Sequence, residues 1–298
     1  MTNSIILVTG ASGATGGSAV SSLVARGHQV RALVHEEDKR SEALRASGVE
    51  VVTGDLLDID SVRSAMEGVS AAYFVYPLGP GLLAGTVNFA QAAKEAAVSA
   101  IVNLSQMTAR RDSLSHAAKD HWLAEQVLQW CGVPVTILRP TLFAEWLLYP
   151  FAWKDYARRD TLALPFGNGK VGLIAAEDQG HAIASVLSEP AKHAGKLYKL
   201  LGPAELDWYG IAAAMSEVLE RTITYTPVSV DEFVASLAKM PQFSSPFFLQ
   251  HIGAVALDAQ NGITGGTSSA MEDLTGRPGM TIQEFVQKHQ ASFEVSAS

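Results

Sequence analysis

Cysteine is nearly absent. Of 298 residues only Cys131 carries a thiol. One thiol can neither close an internal disulfide nor build a thiolate metal cage, so a disulfide-stapled scaffold and a cysteine-based zinc site are excluded, and no metal is expected. No apolar stretch approaches the roughly 20 residues that a membrane-spanning helix needs. The opening MTNSIILVTG has no basic segment, and its short apolar run before Thr9 and Gly10 reads as a buried strand rather than a secretion signal. Positive charge is also scarce. With 22 Lys+Arg against 30 Asp+Glu the formal net charge is −8, which disfavours electrostatic capture of nucleic acid or of an anionic membrane. Internal repeats and low-complexity segments are missing too. A soluble, cytoplasmic protein that handles a small molecule is the expectation.

What is present is an ordinary globular composition, 48% apolar and 17% charged. Short apolar runs alternate with helical patterns through the first half. Strands are predicted at residues 5–8, 29–34, 49–52, 71–75, 100–104 and 135–138. Between them lie helical stretches, among them 82–98 and 115–130, and Asp58 or Asp60 is placed to cap a short helix ending near Glu67. Strands separated by helices imply right-handed crossovers and a parallel sheet covered on both faces. The fold class is therefore α/β, a doubly wound Rossmann sheet. After Pro140 the rhythm breaks, and residues 141–298 read as a smaller α+β lobe for the substrate, woven onto a nucleotide-binding core of residues 1–140. Helices are expected there at 177–187, 208–219 and 281–293, a strand at 197–201, and a loop at 261–269.

The sharpest motif is Thr9-Gly10-Ala11-Ser12-Gly13-Ala14-Thr15-Gly16, directly after the first strand and opening the first helix. Gly10 permits the tight turn, Gly13 lets the backbone approach a pyrophosphate, and Gly16 lets helix and strand pack closely. Free amides at the helix start then hold the phosphates. The simpler account is a glycine-rich turn without a ligand, but the strand–turn–helix context is the one a dinucleotide site requires. Together with Gly54-Asp55-Leu56 and Leu138-Arg139-Pro140-Thr141, this Gly-x-x-Gly-x-x-Gly spacing resembles the extended and atypical short-chain dehydrogenase/reductases. It is most similar to their NmrA-like branch, which includes quinone and festuclavine-type reductases as well as non-enzymatic redox sensors. The likeness is strongest over residues 4–150, and Leu274-Thr275-Gly276-Arg277-Pro278 extends it near the end of the chain.

The resemblance implies a nicotinamide cofactor bound by Gly10, Ser12, Gly13, Ala14, Thr15 and Gly16. In the branch an Arg stands where His35 is, and a Lys where Lys39 is, to contact the 2′-phosphate of NADP. Here the run Val34-His35-Glu36-Glu37-Asp38-Lys39-Arg40 adds three acids that repel a phosphate, with Arg31, Lys39 and Arg40 available to compensate. NADP(H) is expected over NAD. By the same resemblance Asp55 accepts from the adenine amine while Leu56 packs on the ring, helix capping being the competing role for Asp55. Val75, Tyr76 and Pro77 line the ribose and nicotinamide side. Pro140, Thr141 and Phe143 reach the carboxamide through backbone groups.

In the wider superfamily a Ser, a Tyr and a Lys do the acid/base work. Ser105 occupies the Ser position and Lys119 the Lys position, but four residues before Lys119 stands Ser115 instead of Tyr. That departure argues against ordinary ketoreductase chemistry. Lys119 retains a role in binding the nicotinamide ribose, against the plain alternative of a solvent-facing helix lysine. His116 and His121 lie five apart, about 140° around a helix, so they do not form one metal site; either is a candidate proton donor. Tyr76, Phe143 and Trp146 are candidate walls for a hydrophobic or aromatic substrate, whereas Tyr149 and Trp153 suit a core role equally well.

Two functions compete. One is an NADPH-dependent reductase that passes hydride to a hydrophobic carbonyl, quinone, enone or imine. The other is an NADP(H)-binding sensor that signals redox state without turnover. An epimerase or lyase fits the fold but has no motif here. Ala-rich acidic helices are compatible with a homodimer.

Overall fold

The computed structural model describes residues 4–294; Met1–Asn3, part of the leader reading, and residues 295–298 lie outside them. The chain alternates strand and helix as β1 (Ile5–Thr9), α1 (Ala14–Ala25), β2 (Gln29–Val34), α2 (Lys39–Ala46), β3 (Glu50–Thr53), α3 (Ile59–Met66), β4 (Val69–Phe74), α4 (Leu82–Glu95), β5 (Ala100–Leu104), α5 (His116–Trp130) and β6 (Val135–Pro140). Then follow β7 (Thr161–Leu164), β8 (Lys170–Val171), α6 (Ala176–Ser188), β9 (Leu197–Leu200), β10 (Leu206–Asp207), α7 (Trp208–Leu219), β11 (Thr224–Pro227), α8 (Val230–Leu237), α9 (Pro246–Gln260), α10 (Ala270–Thr275), α11 (Ile282–Lys288) and α12 (Gln290–Phe293).

Two compact units emerge. The first takes the chain up to Arg111, Lys119–Arg139 and Ala176–Lys199; the second takes Asp112–Ala118, Pro140–Ala175 and the chain from Leu200 onward. The first unit thus recovers α6 and most of β9 from beyond Pro140. Its sheet runs β3-β2-β1-β4-β5-β6-β9, seven parallel strands. Strand order reverses between β1 and β4, and ligands of such sheets bind outside the carboxyl ends at that switch point. β1 and β4 are buried on both faces, as near-continuous apolar runs demand. On one face Leu7, Leu33, Phe74, Ile101 and Ile137 meet Phe89, Ala124 and Leu128 from the helices. On the other, α6 packs on α1 so closely that a Cβ on Gly180 would lie 2.4 Å from the Ser18 side chain.

Local signals explain the boundaries. Asp38 caps α2 by accepting from Arg40 and Ser41 N–H, while the Ser41 hydroxyl accepts from Asp38 N–H, a reciprocal capping box. Asp58, one of the two residues expected to cap α3, accepts from Asp60 N–H. α4 stops at Glu95, three residues before the expected end, because Ala97 turns into the left-handed region at φ 54°.

The second unit is built around aromatics. Phe166 stacks on Trp208 at 4.8 Å, and Phe151 meets Trp146, Phe233 and Phe243 edge-on. Its short strands pair as β7 with β11, parallel, and β8 with β10, antiparallel. The single final helix expected at 281–293 is two helices, α11 and α12, broken at His289, where φ is −104°.

Candidate functional site

At the carboxyl end of β1 the chain turns through Gly10, whose φ of 60° suits glycine. Gly13 N–H closes the turn on Gly10 O at 3.0 Å. A Cβ on Gly16 would sit 2.2 Å from Gly10 O, and one on Gly10 would sit 2.6 Å from Val75 Cγ1. A Cβ on Gly13 would lie 3.3 Å from the same Gly10 O, so Gly10 serves the turn while Gly13 and Gly16 keep the loop close to it. Gly13 caps α1 without any side-chain hydrogen bond, and no acidic residue occupies the first turn. Gly13 and Ala14 are exposed, Ser12 half-buried and Thr15 buried. The first amides of a helix have no partner inside it, so α1 presents N–H groups and the positive end of its dipole to the outside. Those features fit a pyrophosphate. The helices α2, α3, α7, α8 and α11, by contrast, are closed by Asp38, Asp58, Asp207, Ser229 and Thr281.

Thr9 ties this loop to the next strand. Its hydroxyl donates to Val75 O at 3.0 Å and accepts from Val75 N–H at 2.8 Å. Tyr76 follows, its side chain lying over Gly81 and Gly85, where a Cβ would come within 2.4 Å of its hydroxyl and 2.9 Å of its ring. Burial, and then the negative charge of Asp55, raise the Tyr76 phenol above its ordinary range. Asp55 accepts from Leu57 N–H at 2.8 Å, so it shapes a turn and leaves capping of α3 to Asp58. Leu56 is half-buried beside the Gly85 face of α4, its carbonyl accepting from Asn88 Nδ2 at 3.0 Å. Gly10, Gly13, Val75, Tyr76, Asp55 and Leu56 thus share one edge of the sheet, with Pro77 exposed beside them.

At the end of β2, His35 and Lys39 are exposed. Two of the three acids are already neutralised: Glu37 pairs with Arg45 and Asp38 with Arg40. The Arg45 and Arg40 partners hold both carboxyls below the usual carboxylate range. Arg31 requires a correction. Its guanidinium donates to Ala65 O and Glu67 O and pairs with Glu50, the first residue of β3. It lies toward the amino end of the sheet and does not compensate for the acids near His35.

Ser105 stands just past β5 and is 5% exposed. Its hydroxyl donates to Glu125 Oε1 at 2.5 Å. Glu125, on α5, is 1% exposed and held by Arg139 of β6 through Nε at 2.8 Å and Nη2 at 2.5 Å. Sequence reading missed Glu125. The available signal was an acid in phase with the buried Ala118 and Leu128 of the same helix. Lys119 and His116 are exposed and His121 is half-buried. Backbone N–H of His116 is taken by Gln250 Oε1 at 3.0 Å.

Ser115, where a Tyr would stand, is fully buried; its Oγ accepts from Ala118 N–H at 3.0 Å and lies 2.7 Å from His251 Nδ1. In the second unit, Thr141 donates to Thr264 O and Phe143 bridges Ile174. Trp146 is half-buried against Phe151 and Phe166. Trp153 is a core residue, its indole N–H donating to Leu147 O, whereas Tyr149 is exposed. Pro140 is buried. Among the described residues no group of three or more His, Cys, Asp or Glu is arranged to hold a metal, and no helix is long and apolar enough to cross a membrane.

The family model for the NmrA-like family matches residues 2–285. A curated relative, the NAD(P)H azoreductase of Xenophilus azovorans, is 29% identical over 97% of this chain and 99% of its own. The NADPH complex of the quinone oxidoreductase QOR2 of Escherichia coli superimposes with a TM-score of 0.84 at 26% identity, over 96% of this chain and 99% of that one. The triphenylmethane reductase of Citrobacter sp., complexed with NADP(H), gives 0.83 at 25%, over 96% and 99%.

Proposed function

The chain belongs to the NmrA-like family, and from that premise we propose that it is a cytoplasmic NADPH-dependent reductase. Its substrate is a hydrophobic, conjugated acceptor: a quinone, enone or imine, or an azo group like that named for the Xenophilus relative. The observation that carries the reading is the open amino end of α1 behind Gly10, Gly13 and Gly16, on the same sheet edge as Asp55, Val75 and Tyr76.

When bound, NADPH supplies hydride from its nicotinamide ring. The chain's residues do the rest. The α1 amides from Ala14 onward and the Ser12 hydroxyl hold the pyrophosphate. Asp55 and Leu56 take the adenine, His35 and Lys39 the 2′-phosphate, and Lys119 the ribose hydroxyls. Tyr76 supplies apolar surface in the first unit, and Phe143 and Trp146 supply it in the second. With Ser115 in place of a Tyr, the chain lacks the usual O–H acid, which favours acceptors that take hydride without a tyrosine proton donor, the proton then coming from water or from His116 or His121.

A transfer experiment tests this. NADPH deuterated at nicotinamide C4 is incubated with the protein and a cyclic iminium or enone, and the product is analysed by mass. Deuterium on carbon in the reduced product is expected from one of the two C4 epimers; label in neither would refute hydride transfer to these acceptors.

A further inference from the structure

The buried polar group at the end of β5 decides what Ser105 offers a ligand. Arg139 grips Glu125 with two parallel N–H bonds at 2.8 Å and 2.5 Å. Each of these contacts is a donation to a Glu125 oxygen, and the one from Ser105 joins them. The 2.5 Å contact from Ser105 Oγ to Glu125 Oε1 is therefore a donation by Ser105. A hydroxyl has one proton and two lone pairs. Ser105 has committed its proton inward, and what remains is acceptor capacity alone. Its backbone N–H is likewise occupied, by Leu138 O at 2.8 Å.

The topology says which ligand group lies nearest. With a pyrophosphate on α1, the adenosine side of a dinucleotide runs toward β2 and β3, where His35 and Asp55 stand. The other half runs over β4 and β5. β5 lies two strands from β1, about 10 Å away. The nicotinamide end carries a carboxamide with two N–H donors, more than one backbone carbonyl consumes.

We propose that Glu125, locked by Arg139, is a positioning residue that fixes Ser105 as a hydrogen-bond acceptor for the carboxamide N–H of the nicotinamide. Ser105 thereby binds the cofactor instead of polarising a substrate carbonyl. The proposal rests on the dinucleotide reading above.

The test compares equilibrium binding of NADP+ with that of its 3-acetylpyridine analogue, which replaces the carboxamide NH2 by a methyl group and has no N–H to donate. Wild-type protein is expected to bind NADP+ roughly three- to tenfold more tightly, the value of one neutral hydrogen bond. Ser105→Ala should erase that preference by weakening NADP+ alone, and Ser105→Thr should keep it. Glu125→Ala removes the acceptor from Ser105, frees the hydroxyl proton to point at the ligand, and should abolish or reverse the preference. If that variant does not fold, the Ser105 pair still decides. Retention of the full wild-type preference in Ser105→Ala would overturn the proposal. Failure of wild-type protein to bind either dinucleotide would instead overturn the cofactor reading itself.

Discussion

Nδ1 of His251 lies 2.7 Å from the hydroxyl of Ser115, the residue that caps the start of α5. Ser115 is fully buried and His251 is 8% exposed. Burial is the main cause that drives the imidazole pKa from 6.5 down to about 4, against a smaller upward pull from Asp258. The neutral imidazole shares this hydrogen bond with the Ser115 hydroxyl inside a site that disfavours the charged ring.

The pairing predicts an acid-sensitive stability. As pH falls below 6.5, the unfolded chain binds a proton on this histidine and the folded chain does not until about 4. The contribution is therefore complete above 6.5, declines through the interval, and saturates near 4 with a loss of about 3 kcal/mol. Melting curves of wild type and His251→Gln between those limits should diverge in slope, with the variant the flatter. Parallel curves would show that the imidazole does not titrate in this way.

Gly16→Ala should damage fold and loop together. The new methyl would meet Gly10 O at 2.2 Å, against backbone that has no flexible end to yield. Destabilisation of about 2 kcal/mol or more is expected from such overpacking, with loss of NADPH affinity. Gly27→Ala is strained by its φ of 81° but meets nothing within 4 Å; it should cost about 1 kcal/mol and leave binding intact. Calorimetry and NADPH titration on both variants separate the two effects.

Lys39 and the ion pairs around it should set the choice between NADPH and NADH. Lys39→Glu should lower kcat/KM for NADPH by at least about tenfold while NADH changes little, a difference of about 1.4 kcal/mol. Arg45→Ala, which exposes the Glu37 charge, should shift preference the same way by a smaller amount. Equal effects on both cofactors would place the 2′-phosphate elsewhere.

Lys119→Ala tests the ribose contact. The side chain is exposed, so stability should change by no more than about 0.5 kcal/mol, while KM for NADPH rises several-fold. Unchanged steady-state constants would return Lys119 to the solvent-facing role.

The first half of the fold was legible because its strands are short apolar runs separated by helical patterns, and all seven sheet strands fall where the pattern puts a strand. β9 was seen as a strand, but its place beside β6 depends on long-range pairing that no local pattern encodes. β8 and β10, two residues each, have no pattern to read. Helix α8 was missed although Ser229 and Glu232 form a capping box, and α9 was missed although Pro246 stands in its first turn. At the site, the glycine loop was legible because its spacing follows from backbone geometry. Arg31 was misread because a cation near an acidic run in sequence projects toward the other end of the strand. The Ser105–Glu125–Arg139 arrangement joins three elements, and only the fold brings its members together.

The most direct measurement is turnover of NADPH and of NADH with a panel of quinones, azo compounds, enones and cyclic imines, each product identified by mass. The account predicts consumption of NADPH in preference to NADH, matched by an equal amount of reduced product from at least one conjugated acceptor. Tight binding of NADPH with no reduced product across the panel would contradict it and would fit a dinucleotide sensor instead.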